Sequence, residues 1–281
     1  MTHTHSEVHL GDDQKQIIFS NKKRLVLIAG PCQIESREHA FAIAEKLSTI
    51  CQSLDIGLVY KSSFDKANRS SHASKRGVGL KKGREIFLDL KKEYGFPIIT
   101  DVHTEEQCEL IADSVDILQI PAFLCRQTDL LAAAARTGRI INVKKGQFLS
   151  PWEMRNILQK LYSNGAMNVL FCERGTSFGY NNLISDMRSL PIMASMGVPV
   201  IFDASHSVQQ PGMRGDCSGG ERQFIAPLAK AAVAVGVAGI FLETHQDPDN
   251  APSDGPNMIN IDDLPQLLQQ LLAIDKIVKM L

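Results

Sequence analysis

Short apolar runs rich in Val and Ile recur along the chain, separated by longer stretches in which apolar residues return every three or four positions. The runs are LVLIAG, beginning at Leu25, then GLVYKSS, PIITDV, DILQIP, IINVKK, NVLFCE, PVIFDAS and GIFLET, ending at Thr244. Each is too short for a helix and lacks strict polar alternation, which predicts strands buried on both faces. Between them, SREHAFAIAEKLSTICQ, KKGREIFLDLKKEY, TEEQCELIAD, SPWEMRNILQKLYS and GERQFIAPLAKAAVAV carry the helical period. Strand and helix alternate to the end, so the sheet is expected to be parallel. Eight such units close into a single-domain α/β (β/α)8 TIM barrel, here over residues 24–281. A doubly wound open sheet is the alternative, but no GxGxxG follows the first run. Residues 1–23 stand outside the repeat as an N-terminal extension. There IIFSNKKR, after the Gly11-Asp12 turn, predicts a short hairpin capping the barrel bottom.

Composition narrows the function. With 281 residues and 44% apolar content the chain can bury a full core, and a formal net charge of -1 leaves no global nucleic-acid footprint. An anion site must therefore be local. Six scattered cysteines form neither CxxC pairs nor a disulfide scaffold, which fits a reducing compartment. The start has no apolar core of the signal-peptide kind and no run reaches bilayer length, so a cytoplasmic protein without membrane contact is expected.

A barrel of this kind places its chemistry at the C-terminal ends of the strands. All eight ends carry polar groups: Cys32, Lys61, Asp101 with His103, Gln119, Lys144 with Lys145, Glu173 with Arg174, Asp203 with His206, and Glu243 with His245. Singly each reads as a solvated loop residue or a helix cap. Together they point to one working mouth. Cys32 follows its strand in LVLIAGPCQIES, and a buried apolar cysteine remains the plainer reading of it. Barrel closure nevertheless seats the last strand beside the first, bringing Cys32 near Glu243 and His206, with Asp254 on the following loop. One thiol with harder ligands suits a divalent transition metal rather than magnesium or calcium.

The second constellation is basic. Lys61, Lys66 and Arg69, with Asn68, Ser70 and Ser71, lie in YKSSFDKANRSS; Lys144 and Lys145 lie in NVKKGQF. Arg174 stands in CERGTSFGY beside a glycine turn whose backbone amides suit phosphate oxygens. Such a cluster has the charge to hold two anionic groups at once.

In combination, GPCQIES, KSSFDKANRSS, QIPAFLCRQTDLL, NVKKGQF, CERGTSFGYNNL, FDASHSVQQPG and LETHQDPDNAPSDGPN closely resemble the KDO 8-phosphate synthases, from about Leu25 to the C-terminus. The resemblance implies a (β/α)8 barrel that condenses phosphoenolpyruvate with D-arabinose 5-phosphate and water, giving 3-deoxy-D-manno-octulosonate 8-phosphate and phosphate for lipopolysaccharide biosynthesis. The related heptulosonate 7-phosphate synthases typically carry KPRTS in the sugar loop, where this chain reads Lys66-Ala67-Asn68-Arg69-Ser70.

By the same resemblance, Lys61, Lys66, Lys144 and Arg174 surround phosphoenolpyruvate. Asn68, Arg69 and Ser70 face arabinose 5-phosphate, and Asp101, His103, Gln119, Phe123 and Gln147 complete the cavity. Lys61, Lys66, Asn68 and His206 are the implied catalytic set. Arg126 is expected to reach a neighbouring subunit's site in a homotetramer. The metal set matches Cys32, His206, Glu243 and Asp254, for zinc, iron(II) or manganese. A sister class without metal carries Asn in place of this cysteine and commonly Pro where this chain has Gly146. Two other readings stay open: a Schiff-base aldolase using Lys144 or Lys61, and a barrel that only binds sugar phosphates.

Overall fold

Strand residues alternate between two apolar environments, and that alternation builds the barrel. Two short strands come first, β1 (Glu7–Leu10) and β2 (Ile17–Ser20). The chain then lays down β3 (Val26–Gly30), β4 (Gly57–Lys61), β5 (Ile98–Asp101), β6 (Ile117–Ile120), β7 (Ile140–Lys144) and β8 (Val169–Glu173). A small hairpin of β9 (Thr176–Ser177) and β10 (Leu183–Ile184) precedes β11 (Val200–Asp203). Another, β12 (Gln209–Gln210) with β13 (Gly219–Gly220), precedes β14 (Gly239–His245) and β15 (Ile259–Asn260). These elements belong to a computed structural model that describes residues 7–11, 16–67, 76–212 and 219–281.

Strands β3 to β8, β11 and β14 pair in parallel in that order, and β14 pairs with β3 to close the ring; β15 extends β14 at its end. This is the closed eight-stranded barrel that the sequence pattern predicts. Around it run α1 (Arg37–Ser53), α2 (Leu80–Tyr94), α3 (Glu105–Ile111), α4 (Thr128–Arg136), α5 (Met154–Ser163), α6 (Ser189–Ala194), α7 (Ile225–Val235) and α8 (Leu264–Lys279). Local signals start and stop them: Ser36 and Thr104 cap α1 and α3 by accepting backbone N–H groups, and left-handed Gly95 ends α2.

Outward strand residues such as Leu27, Leu58, Leu118 and Ile141 pack against the helices. Inward residues Val26, Ile28, Val59, Ile99, Ile117, Leu170, Ile201 and Phe241 form a separate interior cluster. Val8, Leu10 and Phe19 of the N-terminal hairpin join that interior cluster, so the hairpin plugs the barrel bottom. Its strands are Glu7–Leu10 and Ile17–Ser20; the Asn-Lys-Lys-Arg part of the expected IIFSNKKR segment forms the exit from it rather than a strand. At the top of β3, Gly30 has no room for a side chain, since a Cβ there would lie 1.9 Å from the Lys61 carbonyl oxygen. That close approach brings the Cys32 turn against β4.

Candidate active site

Two residues beyond the last apolar inward position of a strand, the period of two returns the side chain to the barrel axis. Val59 is thus followed by Lys61, Ile99 by Asp101, Ile117 by Gln119, Cys172 by Arg174, Ile201 by Asp203 and Phe241 by Glu243. The apolar interior therefore ends in a polar layer. Above it opens a cavity of about 720 Å³ lined by Lys61, Lys66, Asp101, His103, Gln119, Phe123, Lys144, Gln147, Arg174, His206 and Asp254. Asn68, Arg69 and Ser70 lie outside the described residues. Arg126 is exposed and does not line the cavity of its own chain.

The same parity corrects one expectation. Lys145 follows Lys144 and so points away from the axis; it is fully buried, donating to the carbonyls of Gly146 and Leu149 and to Thr176 Oγ1, with Glu173 at 3.4 Å. It holds the β7 loop and takes no part in the mouth. The turn after β8 is corrected too. The backbone N–H groups of Arg174 and Gly175 both donate to Glu173 Oε1, at 3.0 and 2.9 Å, so they are spent within the protein rather than offered to phosphate. His245 turns to Glu35, 2.9 Å away, rather than to the cavity.

Carboxylates hold most of the cavity's cations. Lys61 Nζ pairs with Glu243 Oε1 and donates to the Cys32 carbonyl; Lys144 pairs with Asp203; Lys66 stands 3.6 Å from Asp101. Among the described cations lining the cavity, Arg174 alone has no carboxylate partner within 4.0 Å. Its Nη2 donates to Gln209 Oε1 at 2.8 Å, and its buried Nη1 has no hydrogen-bond partner. Burial lowers the guanidinium's affinity for its proton, a tendency that nearby Asp203 and Asp254 oppose, and an arriving anion would relieve it. Burial likewise works to neutralise the Lys144 ammonium, but Asp203 more than offsets this and holds its pKa above the ordinary value. A lysine so held is a poor Schiff-base nucleophile.

Asp101 is fixed at both of its oxygens. Ser63 and Gln119 donate to its two oxygens, and Asn142 Nδ2 donates to Gln119 Oε1 at 2.9 Å, so a hydrogen-bonded row crosses four neighbouring strand ends. Burial would raise the Asp101 pKa, yet Lys66, Lys61 and His103 hold the carboxyl well below the usual range.

The metal-ligand candidates also converge. Cys32 Sγ lies 3.0 Å from Ser253 Oγ and 3.2 Å from Asp254 Oδ2, and donor atoms of Cys32, Glu243 and Asp254 all fall within 4.8 Å of one another. His206 Nε2 stands 3.7 Å from Glu243 Oε1 and 3.9 Å from Asp254 Oδ2. Burial first, and then the Glu243 carboxylate, push the Cys32 thiol well above its ordinary pKa. Asp254 reaches the group from a left-handed backbone (φ 51°), a conformation Asp tolerates better than most residues. Sequence reasoning missed Gln209 and Ser253 here. No periodicity marks either, because Gln209 sits on a two-residue strand too short to show one and Ser253 on a loop.

The barrel with its basic cavity and adjoining thiol, imidazole and carboxylates marks an enzyme that handles anionic substrates. The DAHP synthetase I family matches residues 7–280, and the chain belongs to it. Curated relatives narrow this further. The 2-dehydro-3-deoxyphosphooctonate aldolase of Rhizobium meliloti (strain 1021) is 66% identical over 279 residues, covering 99% of this chain and 100% of that protein. The protein of the same name from Bartonella henselae is 68% identical over 263 residues, 94% of each chain. That of Brucella melitensis biotype 1 is 64% identical over 281 residues, the full length of both.

Proposed function

We infer that this chain condenses phosphoenolpyruvate with D-arabinose 5-phosphate and water, releasing phosphate and 3-deoxy-D-manno-octulosonate 8-phosphate for KDO biosynthesis. The observation that carries the reading is the unpaired guanidinium of Arg174 on a cavity otherwise lined by carboxylate-held lysines. Full-length relatives bearing this enzyme's name support it.

In the reaction, C3 of phosphoenolpyruvate bonds to the aldehyde carbon, water adds at C2, and the C2–O bond to phosphate breaks. A weak carbon nucleophile gains most from being held against its acceptor. Arg174 and Lys144 fix the phosphoenolpyruvate anion, while Lys66 and Lys61 offer protons and positive charge where the aldehyde oxygen becomes negative. Asn68, Arg69 and Ser70 are assigned to the sugar phosphate. Asp101, His103, Gln119, Phe123 and Gln147 shape the rest of the cavity.

The reading extends to a divalent transition metal, zinc, iron(II) or manganese, held by Cys32, His206, Glu243 and Asp254. Three features support that fit. Glu243 Oε2 is buried without a hydrogen-bond partner, the donors mix one thiol with harder ligands, and Asp203 fixes the ring of His206. When bound, such an ion polarises the acceptor aldehyde or the attacking water. With that metal the proposal extends to the metal-dependent class, for which Cys32 and Gly146 are the supporting residues. We further assign a cytoplasmic homotetramer in which Arg126 reaches a neighbouring site. Exposed aromatic residues on the loops after β6, β7 and β8, namely Phe123, Phe148, Trp152 and Phe178, support the assembly. No helix among the described residues is long and apolar enough to cross a membrane.

The test is direct: purified protein is mixed with phosphoenolpyruvate and arabinose 5-phosphate, and loss of enolpyruvate absorbance is followed with phosphate release. Stoichiometric turnover is expected. Binding of both compounds without phosphate release would leave a sugar-phosphate binder instead.

A further inference from the structure

The turn after β11 carries Gln209 to the edge of the cavity. Its backbone N–H donates to the carbonyl of His206, and its strand residue pairs with Gly220 across the β12–β13 hairpin, so the position is fixed at two points. From there the side-chain amide reaches both halves of the site. Oε1 accepts from Arg174 Nη2 at 2.8 Å, and Nε2 donates to Asp254 Oδ1 at 3.3 Å.

A primary amide has one accepting and one donating end. Turned over, it would set an NH2 group against a guanidinium and an oxygen against a carboxylate. One orientation therefore serves both neighbours, and each neighbour is sorted by it. On Arg174 the bond occupies Nη2, while buried Nη1 has no hydrogen-bond partner. On Asp254 it engages Oδ1, while Oδ2 lies 3.2 Å from Cys32 Sγ and 3.9 Å from His206 Nε2.

We propose that Gln209 is a positioning residue that ties the anion-binding guanidinium of Arg174 to the metal-ligating carboxylate of Asp254, so that phosphate binding and metal loading favour one another through its amide. The proposal rests on the phosphoenolpyruvate and metal reading above. Phosphate on Nη1 holds the guanidinium in place, which holds the amide, which keeps Oδ2 turned to the other ligands. By linkage the effect runs equally in reverse: a metal on Oδ2 presets the guanidinium for phosphate. Direct attraction between cation and anion adds to this coupling but does not need the amide.

The experiment uses the full-length protein stripped with a chelator, as parent, Gln209→Met and Gln209→Asn. Zinc affinity is measured by competition with a chromophoric chelator, with and without inorganic phosphate, and melting temperature reports the fold. Methionine keeps the side-chain length and removes both hydrogen bonds. Asparagine keeps an amide too short to span both partners, and it serves on its own if methionine disturbs folding. In the parent, phosphate is expected to tighten zinc binding. In both variants zinc affinity should fall by about tenfold, the scale of one lost hydrogen bond to a charged group, and most of the tightening by phosphate should disappear. Equal tightening in parent and variants, with zinc still bound, would overturn the coupling and leave the metal reading intact. A parent that binds no zinc would overturn that reading and the coupling with it.

Discussion

Asp203 holds His206 by both its backbone and its ring: Oδ1 accepts the His206 backbone N–H at 2.9 Å, and Oδ2 lies 2.7 Å from Nδ1. A carboxylate on Nδ1 leaves Nε2 with its lone pair directed at Glu243 and Asp254, the arrangement a metal-ligating imidazole needs. Asp203→Asn is therefore expected to lower metal affinity by about tenfold to a hundredfold, as loss of such an outer partner does in other metal sites. Chelator competition measures it. Unchanged affinity would mean that the His206 ring is held by other contacts.

Arg174 is paired with no carboxylate, so its removal strands no partner charge. Arg174→Ala should cost about 1.5 to 3 kcal/mol in kcat/KM for phosphoenolpyruvate, the worth of a charge-assisted hydrogen bond, with little change in melting temperature. A variant that melted far below the parent yet used phosphoenolpyruvate normally would make Arg174 a structural residue.

Removing metal tests Cys32 directly. Activity should vanish with a strong chelator and return with zinc, iron(II) or manganese; Cys32→Ser should bind metal more weakly, because a hydroxyl is a poorer ligand for softer ions than a thiolate. Metal analysis of both proteins, alongside assay, is the check. Full activity of a metal-free parent would return Cys32 to the role of a small buried filler.

Asp101 makes a prediction about acid. Its native pKa is depressed, chiefly by Lys66 and Lys61 acting against burial, so the unfolded chain binds the proton more readily than the folded one. The stability it contributes is fully present above the unfolded pKa of about 3.9 and is lost as pH falls toward the native value. Asp101→Asn should thus be less stable than the parent at neutral pH, and its stability should fall less steeply below about pH 4. Urea midpoints across that range decide it; parallel curves would show that Asp101 does not titrate on unfolding.

The barrel was legible because each strand is a buried run and each helix keeps its own period, so LVLIAG through GIFLET could be ordered without knowing a single contact. The inward residues at the strand tips were legible for the same reason. Lys145 and Glu173 misled because charge alone does not say which way a side chain points. Parity does, and it sends both outward to hold loops. Gln209 and Ser253 could not be read, since a two-residue strand and a loop show no period and their meaning comes from chain segments far away in sequence. The glycine turn at Arg174 has the composition of an anion nest, but its amides donate to Glu173.

The apolar side chains that fill the barrel, from Val26 and Ile28 to Phe241, leave the cavity at the strand tips no outlet through the far end. Two substrates and two products must then share one doorway. Whatever lodges nearest the strand tips can leave only after whatever sits above it, so the sequence of arrivals and departures becomes a matter of depth rather than of relative affinity. A packed interior with no chemistry of its own thus imposes a traffic rule on the mouth above it.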